Sequence, residues 1–200
     1  MQNNVRRMGL PGAVAALSAT FLIWHVSARA QGVLPSAGLP AVSLSGPCRA
    51  SSSYLHARIR GAVRLDVDLH GPALSCEGGP RLDGSGIRMG FEGRIGPGSR
   101  RMRMVFGVDG AKEGRPGREL PTNLTVFFEG EKLLFATQGD GNCTVDRLTQ
   151  EPIAADGHPS HAYRIVAHGF CIAPANDLRG RRRILVTTFD FAGRADFDTR

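Results

Sequence analysis

Val63, Leu65, Val67 and Leu69 alternate with Arg64, Asp66, Asp68 and His70. A period of two marks a strand with one buried and one solvated face, so a strand is predicted over Val63 to His70. The same alternation recurs at Ile87, Met89 and Phe91, and again at Met102, Met104, Phe106 and Val108. Leu124, Val126 and Phe128 follow, then Leu133 and Phe135 after a Glu129-Gly130-Glu131 turn. Asp140-Gly141 is a preferred hairpin pair because primed turns need positive φ. It predicts a three-stranded meander over Thr122 to Thr149. The segments Asn142 to Thr149 and Tyr163 to Ile172 read as strands around a polar loop, Gln150 to Ser160. The run from Ile184 to Phe197 is β-rich, with Gly193 placed to make a bulge or bend.

Turn signals separate these runs at intervals of about ten residues, the spacing of an all-β sandwich or barrel. The sequence thus predicts a single antiparallel β-sandwich of about eight strands, jelly-roll-like, with a closed barrel as the alternative. The mature residues carry no sustained helical period, and the chain shows no internal repeat.

The N-terminus follows a different pattern. Arg6 and Arg7 precede an apolar run from Ala13 to Val26, and Ala28-Arg29-Ala30 offers small residues around a cleavage point. Basic region, apolar core and A-x-A site together make a secretory signal peptide over residues 1–30. The run is shorter than the ~20 apolar residues that a membrane-spanning helix needs. Residues 31–47 form a Pro/Gly-rich leader, and 48–200 the β-sandwich domain. The expected product is exported, periplasmic or secreted, with no membrane span in the mature part.

Cleavage changes the composition. The whole chain has 200 residues and a net charge of +7; the mature part has 170 residues, with 22 Lys+Arg against 18 acids, a net of +4. Trp24 departs with the signal. So mild a charge does not indicate a nucleic-acid or membrane surface as partner.

All four cysteines are retained: Cys48, Cys76, Cys143 and Cys171. An even count in an exported chain indicates disulfides. Pairing the strands Asn142 to Thr149 and Tyr163 to Ile172 with Cys143 opposite Cys171 sets Val145 against Gly169, Arg147 against Ala167 and Thr149 against Ile165. Directly opposed residues lie ~4.5–5.5 Å apart, within disulfide reach. The sequence therefore predicts Cys143–Cys171, and by remainder Cys48–Cys76.

Three groups of residues are candidates for chemistry. His158, His161 and His168, with Asp156 nearby, could supply metal ligands, and the predicted register sets Asp146 opposite His168 to orient it. The plainer alternative is solvated loop histidines and a cross-strand polar pair. Arg100, Arg101 and Arg103 form one basic cluster, Arg181, Arg182 and Arg183 another beside Arg179, and Arg115 with Arg118 a third. Guanidinium groups grip carboxylate and phosphate bidentately; if these turns converge on one rim, they would hold an anionic glycan, lipid headgroup or acidic protein. Against this stands a solvated surface in which acids balance arginines. Catalytic motifs are missing: there is no G-x-S-x-G elbow, no H-E-x-x-H and no phosphate-binding loop. No cofactor or catalytic residue is indicated. Two sequons, Asn123-Leu124-Thr125 and Asn142-Cys143-Thr144, would accept glycans in a eukaryotic secretory pathway.

The function that follows is an exported, non-enzymatic binding or interaction module of unknown partner, with an anionic glycan, lipid headgroup or acidic protein as the candidates. The alternatives are a carbohydrate-active or other hydrolase on the same scaffold, and a metal-binding protein built on the histidines.

Overall fold

The computed structural model describes residues 52–96, 100–153 and 161–197. The expected signal peptide, the leader, Cys48, Asp156 and His158 lie outside these residues. Among the described residues, eleven antiparallel strands make up the fold: β1 (Tyr54–Gly61), β2 (Leu65–His70), β3 (Leu74–Pro80), β4 (Gly86–Arg94), β5 (Arg101–Asp109), β6 (Gly117–Phe128), β7 (Leu133–Ala136), β8 (Cys143–Pro152), β9 (Ala162–Cys171), β10 (Ala175–Asp177) and β11 (Arg183–Asp196). Two 3-10 turns, Gly71–Ala73 and Asp140–Asn142, are the helical elements among the described residues. None of these is long and apolar enough to cross a membrane.

The all-β antiparallel architecture agrees with the alternation in the sequence, but eight strands become eleven. β1, β3 and β10 are the additional ones. β3 ends in Gly78-Gly79-Pro80 and β10 has three residues, too little for a period-two pattern to register. β2 starts at Leu65, not Val63, which belongs to the preceding turn.

Pairing runs β2-β1-β11-β9-β8 on one side and β3-β4-β5-β6 on the other. β6 joins the two. Its first half, Gly117–Thr122, pairs with β8, and its second half pairs with β5 and β7. Short β10 bridges β7 and β11, so the ladder β11-β9-β8-β6-β7-β10 returns to β11. The fold is a β-sandwich whose two layers share β6 and β11 as corners.

The predicted three-stranded meander is overturned by this arrangement. β8 pairs with β6 and β9 rather than with β7. Asp140-Gly141 lies in a 3-10 turn, and the positive φ falls on Gly139 (76°), so no primed hairpin forms there. Asp140 has another task, described below.

Inward residues of both layers meet in one core. Phe106 packs against Phe91, Phe189 and Phe191 at ring separations of 4.8–6.1 Å, and all four are buried. Aromatic burial of this kind supplies most of the driving force for folding. Gly193 is not the expected bulge: its register with Ile165 is regular. A Cβ at Gly193 would lie 3.0 Å from Met89 and Phe91, so the absent side chain lets β4 approach β11 across the sandwich. The irregularity in β11 falls instead at Thr187, where Arg58 pairs Thr188 and Ile59 pairs Val186.

Cys143 and Cys171 are opposite each other and joined by a disulfide. Val145 faces Gly169 as the sequence predicts. Beyond it the register shifts by one, setting Arg147 against His168, Leu148 against Ala167 and Thr149 against Val166. The predicted Arg147–Ala167 and Thr149–Ile165 pairs therefore do not form. Asp146 is the extra residue, a β-bulge. Without the extra residue, strand alternation would turn Arg147 inward; with it, Asp146 and Arg147 both stay on the solvent side while Val145 and Leu148 are buried. Cys76 is disulfide-bonded too; Cys48, its expected partner, is outside the described residues.

Candidate functional site

Most of the candidate residues fall in two places, a margin of turns and the outer face of one layer.

Four turns line up along the basic margin. The turn into β2 carries Arg64, and its Ala62 N–H donates to the Arg183 carbonyl at 2.9 Å. The β10–β11 turn carries Arg179, Arg181 and Arg182, with Arg183 opening β11. The β6–β7 turn carries Lys132 and, with the β10–β11 turn, lines an open cavity of about 310 Å³. The β4–β5 turn follows, with Arg94, Arg100 and Arg101. Here the Glu129 N–H donates to the Arg101 carbonyl at 2.9 Å, and Arg100 pairs with Glu131 at 2.7 Å.

Acids at this margin are few and already engaged. Glu131 is held by Arg100, Glu92 and Glu129 by Arg101, and Asp177 by Arg182 at 3.4 Å. Burial alone would raise the Asp177 pKa. Hydrogen bonds from the Arg182 and Arg181 backbones and the Arg182 side chain outweigh it, so the pKa is lowered. Arg64, Arg94, Lys132, Arg179, Arg181 and Arg183 have no acidic partner among the described residues, and all six are exposed. Two further features stand out. Leu178, at the tip of the β10–β11 turn, is 83% exposed. Lys132 has φ 50°, a left-handed conformation that costs an L-residue energy and favours glycine.

The sequence-predicted arginines therefore divide. Arg100, Arg101, Arg181, Arg182 and Arg183 converge on this margin. Arg103 does not: it shares Glu77 with Arg88 on the outer face of the second layer. Convergence depends on the two-residue pairing of β7 with β10, which leaves little trace in sequence.

A second margin, built around Arg81, behaves differently. The β3–β4 turn, the Asp140–Asn142 turn and the β9–β10 connection meet there. Arg81 is 14% exposed in its side chain and binds Asp83 and Asp140, each at 2.8 Å. Asn123 donates to the same Asp140 carboxylate, and the Ile172 N–H donates to the Asn142 carbonyl at 2.9 Å. The Arg81 hydrogen bond holds the Asp140 carboxyl below the usual range; Arg81, and then Ser85, do the same for Asp83.

On the outer face of the first layer, opposed residues make a transverse row: Asp68, His56, Asp190, His168, Arg147 and Arg118, across β2, β1, β11, β9, β8 and β6. His56 pairs with Asp68 at 3.2 Å and His168 with Asp146 at 3.3 Å. The Tyr54 hydroxyl donates to Asp190 at 2.9 Å; burial, then that carboxylate, raises the phenol pKa. His168 borders two open concavities. One, of about 660 Å³, is lined by Arg118, Glu119, Asp146, Arg147 and His168. The other, of about 470 Å³, includes His56, Arg58, Asp66, Thr188 and Asp190.

The histidine cluster does not assemble as a metal site within the described residues. His161 pairs with Glu113 at 2.7 Å. His168 lies seven residues further along, roughly 23 Å at strand rise, so the two cannot share an ion. No group of three His, Cys, Asp or Glu suited to a metal occurs among the described residues. Arg115 offers its carbonyl to Gln150 at 2.8 Å, whereas Arg118 reaches the larger concavity.

That concavity is what the sequence reading missed. A signal was present: Val145 and Leu148 stand three apart, a break in the period of two that marks the extra residue.

No protein family, no curated protein and no solved structure matches this chain.

Proposed function

We propose that the chain is an exported, non-enzymatic binding module whose basic margin takes an anionic partner. One observation carries the reading: six exposed cations converge there without acidic partners, while every acid beside them is already paired. A cationic rim of this kind draws carboxylate, phosphate or sulfate groups, and arginine holds them bidentately. Export is supported by the basic region, apolar run and A-x-A site of residues 1–30, and the Cys143–Cys171 disulfide is compatible with an oxidising compartment. Among anionic partners, exposed Leu178 amid the cations favours a lipid headgroup over a glycan or an acidic protein, because an apolar tip gains by entering the acyl boundary.

The test is retention of the mature chain on a sulfated-glycan resin and on phosphatidylglycerol vesicles, each against a neutral counterpart. Binding should be salt-sensitive, since screening tightens from ~10 Å at 0.1 M to ~3 Å at 1 M. The triple variant Lys132→Ser, Arg179→Ser, Arg181→Ser should lose both. Leu178→Ser should weaken vesicle binding alone. Equal retention on anionic and neutral supports at low salt overturns the proposal.

A carbohydrate-active hydrolase is the second reading. It draws on Glu119 and Asp146, two carboxylates that line one concavity. Release of a chromogenic aglycone, lost in Asp146→Asn, would establish it.

A further inference from the structure

The larger concavity contains an unusual block of charge. Arg118 on β6 is directly opposite Arg147 on β8. The next pair in register is Leu120 with Val145, so Glu119 and Asp146 occupy the intervening positions, one on each strand. Like charges meet like across the ladder, an arrangement that costs energy in an antiparallel pair. Arg118, Glu119 and Arg147 have no ion pair among the described residues, while Asp146 engages His168.

Two backbone irregularities sustain the block. The bulge at Asp146 keeps that residue and Arg147 on the solvent side together. Glu119 has φ 53°, and apart from Lys132 it is the one non-glycine residue with positive φ among the described residues. Strained residues and bulges gather where a side chain must be aimed at a ligand.

Charge decides the class of ligand. Two guanidiniums face each other and would share one anionic group bidentately. Two carboxylates beside them would repel a compact dianion such as phosphate, but would accept hydrogen bonds from hydroxyl groups. A volume of about 660 Å³ is that of an ordinary small-ligand site. One carboxylate with several hydroxyls around it is the chemistry of an acidic sugar. We infer that this concavity binds a uronic acid, its carboxylate between Arg118 and Arg147 and its hydroxyls toward Glu119, Asp146 and His168. The inference does not rest on the basic margin.

Titration of the Lys132→Ser, Arg179→Ser, Arg181→Ser variant, whose margin no longer draws anions, with glucuronate, glucose and inorganic phosphate, read by calorimetry, tests it. Glucuronate should bind saturably, and glucose and phosphate about tenfold more weakly or not at all, the factor expected for losing one charge-assisted contact. Arg118→Ala and Arg147→Ala alter exposed side chains, and each should weaken glucuronate by about tenfold with no loss of melting temperature, since each also relieves the facing like charge. Glu119→Gln should weaken glucuronate and improve phosphate. Phosphate binding as tightly as glucuronate, or Arg147→Ala leaving glucuronate affinity unchanged, overturns the inference.

Discussion

The basic margin and the Arg81 margin are built from the same material, tight turns between antiparallel strands, and they dispose of charge in opposite ways. At the Arg81 margin one nearly buried guanidinium is enclosed by two carboxylates, and an asparagine fixes the second of them. At the basic margin acids are outnumbered, and the surplus cations point outward. A charge satisfied within the fold holds turns together; a charge left without a partner is available to something else. Arginine count is a poor guide to either role; the position of the acids decides between them.

Both margins hang on one core. Phe106→Ala removes the ring that touches Phe91, Phe189 and Phe191 and should cost about 3–5 kcal/mol. Denaturation followed by probes near each margin should still give one transition. Two separate transitions would break the comparison by making the margins independent units.

Arg81→Ala should cost about 1–2 kcal/mol, low in the range for hydrogen bonds to charged groups because the Asp140 carboxylate is partly solvated. It should leave retention on anionic resin unchanged. The same variant sharpens the pH behaviour. The folded-state pKa of Asp140 is lowered, so its contribution is fully present above the ordinary carboxylate value, about 3.9, and is lost as pH falls through the lower folded value. Wild-type stability should therefore decline below about pH 4, and Arg81→Ala should flatten that decline. An identical acid slope in both proteins would show that the clasp contributes nothing.

The smallest effect is expected at Lys132. Glycine there relieves a left-handed residue but adds freedom to the unfolded chain, for a net gain of up to about 1 kcal/mol. Melting should rise by about 2–4 °C or less, while retention on anionic resin falls with the lost charge. A lower melting temperature would mean that the lysine stabilises its own turn, as Arg81 does.

The fold was legible where burial is one-sided. In β2, β4 and β5 one face is core and the other water, so apolar residues recur at every second position. The β8–β9 register was legible as far as Val145 because two cysteines had to meet. It was lost at Asp146, since one inserted residue slips every later pair while leaving the composition unchanged. β3 and β10 escaped because glycine, proline and brevity erase the period. The candidate sites were legible only in part. The arginine clusters are visible in sequence, but their convergence rests on two residue pairs between β7 and β10. The Arg118–Arg147 contact links positions 29 apart, joined by a mid-strand switch of partners in β6 that alternation does not record.

The returning ladder of β11, β9, β8, β6, β7 and β10 has a consequence for self-association. Every strand in it pairs on both sides along part of its length, and among the described residues β2 and β3, at the two ends of the pairing path, are the strands with a neighbour on one side only. Asp66 and Asp68 put negative charge on β2, and β3 ends in Pro80, which has no N–H to offer. Like-charged and proline-blunted edges are poor templates for a further strand. A molecule so finished is protected from strand-by-strand polymerisation even when many copies are crowded onto one surface.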